Sequence, residues 1–281
     1  MKQLIAILFL LCSFHFLSAQ LDQAEQNIYL RIADDAATAI NKGEYEKAES
    51  LLLQAIGMQE DNHLNPLLLS NLGMCRYYMG EDSLAIATLN DAVSKAPASV
   101  SILLNRAKVK LGTGQLQSAM ADFKHVNELD SMVAEPYYYL GFYNLNNGNL
   151  SEAITDFNKL SEISPDSYES NLAMATLYSS TSQEEKAIPF YTQLLKKEKA
   201  TEFLVGRAYC YLKTGDLYEA SADINSGLEQ SPEDGDLYLC RAILNKMRYM
   251  EKESAEDAAK AIKLGIDPQK VKLLLNNSFP E

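Results

Sequence analysis

The feature that most constrains this chain is a recurrence of small residues at a nearly fixed interval. Ala36, Gly73, Ala107, Gly141, Ala175, Ala208 and Ala242 follow one another at spacings of 37, 34, 34, 34, 33 and 34 residues. Ala48, Ala85, Ala119, Ala153, Ala187, Ala220 and Ser254 form a second series with the same steps. A period near 34 with two locked small positions is the signature of a helix-turn-helix repeat. Helix axes approach to about 8–10 Å where they touch, and only a small side chain fits at that contact. Each unit therefore sets two antiparallel helices against each other and against the next unit.

The rest of the period agrees. Gly43, Gly80, Gly114, Gly148 and Gly215 stand five residues before the second small position, where the chain must turn between helices. Leu52, Leu89, Phe123, Phe157, Tyr191 and Ile224 follow that position by four residues, on the same helix face. Pro97, Pro165 and Pro232 follow it by twelve and stop the second helix. The pattern resembles the tetratricopeptide repeat. Asn71-Leu72-Gly73 with Gly80, Ala85, Ala92 and Pro97 carries it, as do Tyr137 and Leu140-Gly141 with Gly148, Ala153, Phe157 and Pro165.

Seven repeats follow, at 29–62, 66–99, 100–133, 134–167, 168–200, 201–234 and 235–268. A lead-in helix at 21–28 is expected before them, and a capping helix and tail at 269–281 after them, with Val271, Leu273, Leu274 and Leu275 covering the last repeat. The resemblance implies an all-α, right-handed superhelical solenoid whose first helices line a concave face. Repeat five departs from the pattern. It has Ser182 in place of the turn glycine, where Ser182 and Glu185 are expected to form a capping box. Pro189 inside its second helix is expected to bend that helix. Three extra residues, around Asp61-Asn62-His63, separate the first two repeats.

Residues 1–20 read as a secretory signal: one charge at Lys2, an apolar run from Leu4 to Leu17, then Ser18-Ala19-Gln20. The run is short for a spanning helix, which needs about 20 residues, although an uncleaved inner-membrane anchor is the alternative. An exported protein, periplasmic or secreted in a bacterial cell envelope, is the expectation. Removing the segment takes away only Lys2 and moves the net charge from −13 to −14. Such a surface repels nucleic-acid phosphates and anionic lipid headgroups, and no later stretch is apolar enough to insert directly in a membrane.

Catalytic signals are sparse. His63 and His125 are the only histidines after residue 20, and neither HExxH nor paired-cysteine spacing occurs. No enzyme, metal or cofactor is expected. Arg106, Arg207 and Arg241 each precede a first-helix small residue, and Asp122, Asp223 and Asp257 lie sixteen residues further on. These pairs read as ion pairs between the helices of one repeat, with a line of ligand-binding charges as the alternative. Cys75, Cys210 and Cys240 are expected to be buried free thiols, although Cys210 and Cys240 fall in neighbouring helices.

The resemblance also implies a protein or peptide partner held by first-helix residues flanking the small positions. Here those are Met74, Tyr77 and Tyr78 in repeat two, and Leu104, Asn105 and Lys108 in repeat three. Repeat four supplies Tyr138, Tyr139 and Phe142, and repeat six supplies Tyr209. Rings and Met are favoured anchors. Asn105-Arg106-Ala107 resembles part of the clamp by which some family members hold acidic chaperone tails. Ser70, Met74, Glu135 and Tyr139 stand where its basic and amide partners are needed, so that clamp is incomplete. The expected role is a scaffold or adaptor, with a self-associating homo-oligomeric subunit as the alternative.

Overall fold

A computed structural model describes residues 23–276, so the expected signal segment and the last five residues lie outside the described residues. Among the described residues the secondary structure is entirely helical. The chain divides into two compact units, meeting in sequence at Ser131 and Met132. Each is an all-α repeat.

The first unit begins with α1 (residues 23–41). It continues through α2 (Tyr45–Met58), α3 (Asn65–Tyr78), α4 (Asp82–Lys95), α5 (Val100–Gly112) and α6 (Leu116–Leu129). The expected lead-in helix is not separate: no Gly or Pro interrupts residues 23–41, and one helix runs through them. Helix α3 packs on α4 within its repeat and on α2 and α5 outside it. Ala36, Ala48, Gly73, Ala85, Ala107 and Ala119 are all buried where helices meet. A Cβ on Gly73 would stand 2.6 Å from Leu89 Cγ, so the helices touch closely enough to require glycine.

The insertion after repeat one is held by Asn65, which is 4% exposed. Its amide nitrogen donates to the carbonyls of Gln59 (2.6 Å) and Glu60 (2.9 Å), and its oxygen accepts from the Tyr29 hydroxyl at 3.0 Å. A buried amide must be satisfied in this way. Tyr29 itself is fully buried, and burial raises its pKa.

The second unit comprises α7 (Ala134–Asn146), α8 (Leu150–Ile163), α9 (Tyr168–Ser180), α10 (Glu184–Lys197), α11 (Thr201–Thr214), α12 (Leu217–Gln230), α13 (Gly235–Met247), α14 (Glu251–Lys263) and α15 (Pro268–Asn276). First helices pack on one another, α7 on α9 and α11 on α13. Helix α15 caps α13 and α14. Its Val271 is buried, while Leu274 and Leu275 pack partly buried against the core of α11–α14. Leu273 is 58% exposed and leaves that cover open.

The turn glycines Gly43, Gly80, Gly114, Gly148 and Gly215 take φ between +74° and +83°. Ser182 and Tyr249 occupy the same turn place in repeats five and seven, at φ +54° and +60°. The capping box expected at Ser182 and Glu185 does not form. The N-cap of α10 is Gln183 and carries no side-chain cap bond. The reason is that Ser182 takes over the glycine's left-handed backbone role, one residue too early to cap. Helix α10 continues through Pro189.

Candidate functional site

The three Arg–Asp pairs are structural. Arg106, Arg207 and Arg241 each grip their aspartate with two nitrogens, at 2.7–2.9 Å, 2.7–2.8 Å and 2.6–2.8 Å respectively. Bidentate geometry of this kind is the strong form of the interaction. The hydrogen bonds that Arg207 and Arg241 donate to Asp223 and Asp257 hold their pKa values above the ordinary guanidinium value. Lys110 also reaches Asp122 at 2.8 Å, and in repeat four Asn144 donates to Asp156 at 2.9 Å. These carboxylates serve helix pairing rather than an open ligand surface.

Within the first unit, Met74 and Tyr77 pack partly buried on the cluster of Ala85, Leu89 and Val109. The Tyr77 hydroxyl occupies the space a Cβ on Gly112 would need. Tyr78 is 55% exposed and stacks on Tyr45, with centroids 4.9 Å apart. The Asn105 amide donates to Ser70 Oγ at 3.0 Å, joining α3 to α5. Lys108 is half-buried on the same helix as Asn105.

Within the second unit, Tyr209 lines a cavity of 760 Å³ between α11, α13 and the cap helix α15. Its walls are mainly apolar: Val205, Leu239, Cys240, Leu273 and Leu274, with the Tyr191 ring. Gly206 is needed here, because a Cβ would stand 2.6 Å from the Tyr191 ring. Polar groups are confined to a few positions. Lys270 pairs with Asp236 at 2.9 Å, tying α15 to α13, and Ser179 donates to the Tyr191 hydroxyl at 3.4 Å. Lys213 lies over the Tyr209 ring at 5.8 Å. Burial raises the Tyr209 hydroxyl pKa, with Cys240 and Glu184 adding to it.

Of this set, the sequence pattern points to Tyr209 alone as a binding residue. The offsets that select Leu104 and Asn105 before Ala107 select Val205 and Gly206 before Ala208, and Leu239 and Cys240 before Ala242. Carrying that register through repeats six and seven would have found the groove. The part from α15 had no such signal, because that helix has no small-residue pair to set its phase.

Tyr138 and Tyr139 line a separate pocket of 450 Å³ with Tyr168. Phe142 is not part of that lining; it packs edge-on between Tyr138 (4.9 Å) and Phe157 (5.0 Å). Met74, Tyr77, Tyr78, Asn105 and Lys108 thus belong to the first unit, and Tyr138, Tyr139, Phe142 and Tyr209 to the second.

Reactive chemistry is muted at these sites. Cys75, Cys210 and Cys240 are free and buried. Burial pushes the thiols of Cys75 and Cys210 up to about 11. It pushes Cys240 up to about 12, with Asp236 and Asp234 adding to the effect. A thiol held protonated is a poor nucleophile and a poor metal ligand. His125 is exposed and pairs with Glu128 on its own helix at 3.1 Å. Among the described residues there is no cluster of three His, Cys, Asp or Glu fit to hold a metal, and no helix is long and apolar enough to cross a membrane.

A chain built of helix pairs with small residues where the helices meet is an α-helical repeat protein. Comparison with known proteins gives the family. Models of the tetratricopeptide repeat match residues 69–99 and 134–167. A tetratricopeptide repeat protein from Parabacteroides merdae is 25% identical, with 88% of this chain and 97% of that chain covered and a TM-score of 0.60. The C-terminal part of a TPR repeat-containing protein from Cytophaga hutchinsonii is 15% identical, covering 87% and 99%, with a TM-score of 0.61. YrrB, described as a TPR protein with an unusual peptide-binding site, is 20% identical, covering 66% and 96%, with a TM-score of 0.57. Superkiller complex protein 3 of mouse is 30% identical over 136 residues, which make up 48% of this chain but only 9% of that protein. The chain carries tetratricopeptide repeats at those residues, within a fold that the tetratricopeptide repeat structures share.

Proposed function

We propose that this protein is a non-catalytic adaptor that holds a segment of a partner protein in the groove between α11, α13 and α15. The observation that carries the reading is the groove itself. A 760 Å³ cleft walled by Val205, Leu239, Leu273, Leu274 and two tyrosine rings has the size and the apolar character of a recognition site. Its polar groups, Asp236, Lys270 and Gln269, would orient a bound backbone. YrrB's peptide-binding site supports the reading to the extent that this fold can host one. The three thiols held protonated support a binding role over a nucleophilic one.

The test is Leu273→Asp. This side chain is mostly exposed, so stability should change by no more than about 0.5 kcal/mol. Burying a carboxylate under an apolar ligand should weaken partner capture at least about tenfold. Capture at unchanged affinity would refute the groove as the binding site.

The working place we propose is the cell envelope, on the strength of the charged start, the apolar run and the Ser18-Ala19 ending. N-terminal sequencing of protein from its native host should begin near Gln20. Intact Met1 in a cytoplasmic fraction would remove the proposal.

A further inference from the structure

The second pocket of the 132–281 unit has a chemistry of its own. Tyr138 and Tyr139 from α7 and Tyr168 from the start of α9 form three of its walls, with Leu160 beneath. Glu135, one turn before Tyr139, and Glu169, next to Tyr168, add two carboxylates to its lining. The rings are held by edge contacts. Tyr139 meets Tyr138 at 5.3 Å and 84°, and Tyr138 meets Phe142, which rests on the buried Phe157. Tyr168 leans on Phe203 at 6.1 Å and 63°. Edge-to-face packing fixes where each ring points before any ligand arrives.

Ring faces are electron-rich and attract cations, most strongly where water is excluded. The same unit already uses this attraction within the chain. Lys186 lies over Tyr178 at 5.5 Å, Arg207 over Tyr211 at 5.9 Å, and Arg241 over Tyr238 at 4.9 Å. Carboxylates deepen the negative field at the pocket. The Tyr168 hydroxyl is raised by burial and then by Glu198, Glu202 and Glu169; that of Tyr138 is raised by burial, then Tyr139, Tyr168 and Glu169. Lys197, at the end of α10, donates to the carbonyl of Asp166 in the nearby α8–α9 turn.

We infer that this pocket receives a basic side chain, Lys or Arg, from the partner segment. The inference rests on the proposed role as a binder of protein segments and names what one part of that segment must carry. A pocket of 450 Å³ walled by three phenol rings admits a lysine or arginine with its stem against the rings and its charge beside Glu135 and Glu169. An acidic segment would be repelled by those carboxylates, and a neutral one would gain nothing from the ring faces as a cation does.

The experiment uses the protein with isotope-labelled tyrosine rings and three blocked tripeptides, Gly-Arg-Gly, Gly-citrulline-Gly and Gly-Glu-Gly. Citrulline keeps arginine's shape without its charge. The arginine peptide should shift the ring signals of Tyr138, Tyr139 and Tyr168 saturably. The citrulline peptide should bind about tenfold more weakly, and the glutamate peptide should leave those signals unmoved. Glu169→Gln, at an exposed position, should weaken arginine binding severalfold without altering the melting curve. Equal binding of arginine and citrulline, unchanged binding by Glu169→Gln, or shifts as large at the exposed Tyr218 would each overturn the assignment. Its failure is separable from that of the groove. Rings unmoved by arginine, with capture still lost in Leu273→Asp, would remove this pocket and keep the groove. Arginine binding intact, with normal capture by Leu273→Asp, would do the reverse.

Discussion

The first helices of the two units use the same register for opposite ends. Between α3 and α5, the offsets before the small residues place Ser70 and Asn105 opposite one another, and a 3.0 Å hydrogen bond ties the helices together. Between α11 and α13, the equivalent offsets hold Val205 and Cys240, which cannot bond in that way and line a 760 Å³ groove. Nearby, Gly112 leaves room for the Tyr77 hydroxyl in the first unit, and Gly206 leaves room for the Tyr191 ring in the second. The small residues and the Arg–Asp pairs are common to both units and build the fold. The residues beside them are free to become glue or groove.

The common part should carry the largest effects. Asp122→Ala and Asp223→Ala each strand a mostly buried guanidinium and should cost about 3 kcal/mol in urea unfolding. Lys159→Ala, in an exposed pair with Glu162, should cost under about 0.5 kcal/mol. If all three variants behave alike, the pairs are not the shared frame.

Close contacts come next. Gly73→Leu and Gly141→Leu would drive side chains into Leu89 and into Phe157, where even a Cβ stands 2.6 and 2.4 Å away. Each should lower stability by roughly 1–3 kcal/mol, measured by thermal melting. An unchanged melt in either unit would mean that the repeat register is wrong there.

The contrast itself can be transplanted. Val205→Ser with Cys240→Asn would carry the Ser70–Asn105 bond into the groove. It should reduce partner capture about tenfold and cost about 1 kcal/mol, since the pair satisfies itself. Undiminished capture would mean that the difference between the two faces has no bearing on binding.

Alkaline pH probes the buried thiols of both units more gently. A thiol whose folded pKa lies above its ordinary value contributes stability that is full below about 9 and is lost as pH rises through the folded value. Cys75 in the first unit and Cys210 in the second are held up to about 11, and Cys240 to about 12. Melting temperature should fall between pH 9 and pH 11, and Cys75→Ala and Cys240→Ala should each flatten that fall. A fall as steep in either variant as in the parent protein would contradict the burial of that thiol.

Much of the frame was legible because it follows from steric rules with a fixed period. Small residues at helix contacts, glycines at left-handed turns and arginines sixteen residues from aspartates all repeat, so one misread repeat is corrected by its neighbours. Features that occur once were not legible in this way. Asn65 ties down the insertion after repeat one through contacts with Tyr29 and two carbonyls, a network that no local pattern announces. Ser182 reads as a cap because serine favours caps, whereas the turn requires a left-handed backbone and takes the residue for that. The smallest effect lies here: Ser182→Gly and Tyr249→Gly should each stabilise the protein by about 1 kcal/mol, read from the denaturation midpoint. The groove was half-legible, since α11 and α13 carry the repeat register and α15 does not.

The most direct test of the central claim is site-specific photo-crosslinking in the native host, with benzoylphenylalanine placed in turn at Tyr209 and at Tyr218. Tyr209 lines the groove, while Tyr218 is 81% exposed on the second helix of the same repeat. The account predicts a discrete partner adduct from position 209 that disappears in the Leu273→Asp background, and none of that mass from position 218. The same adduct from both positions, or one from 209 that survives Leu273→Asp, would contradict it.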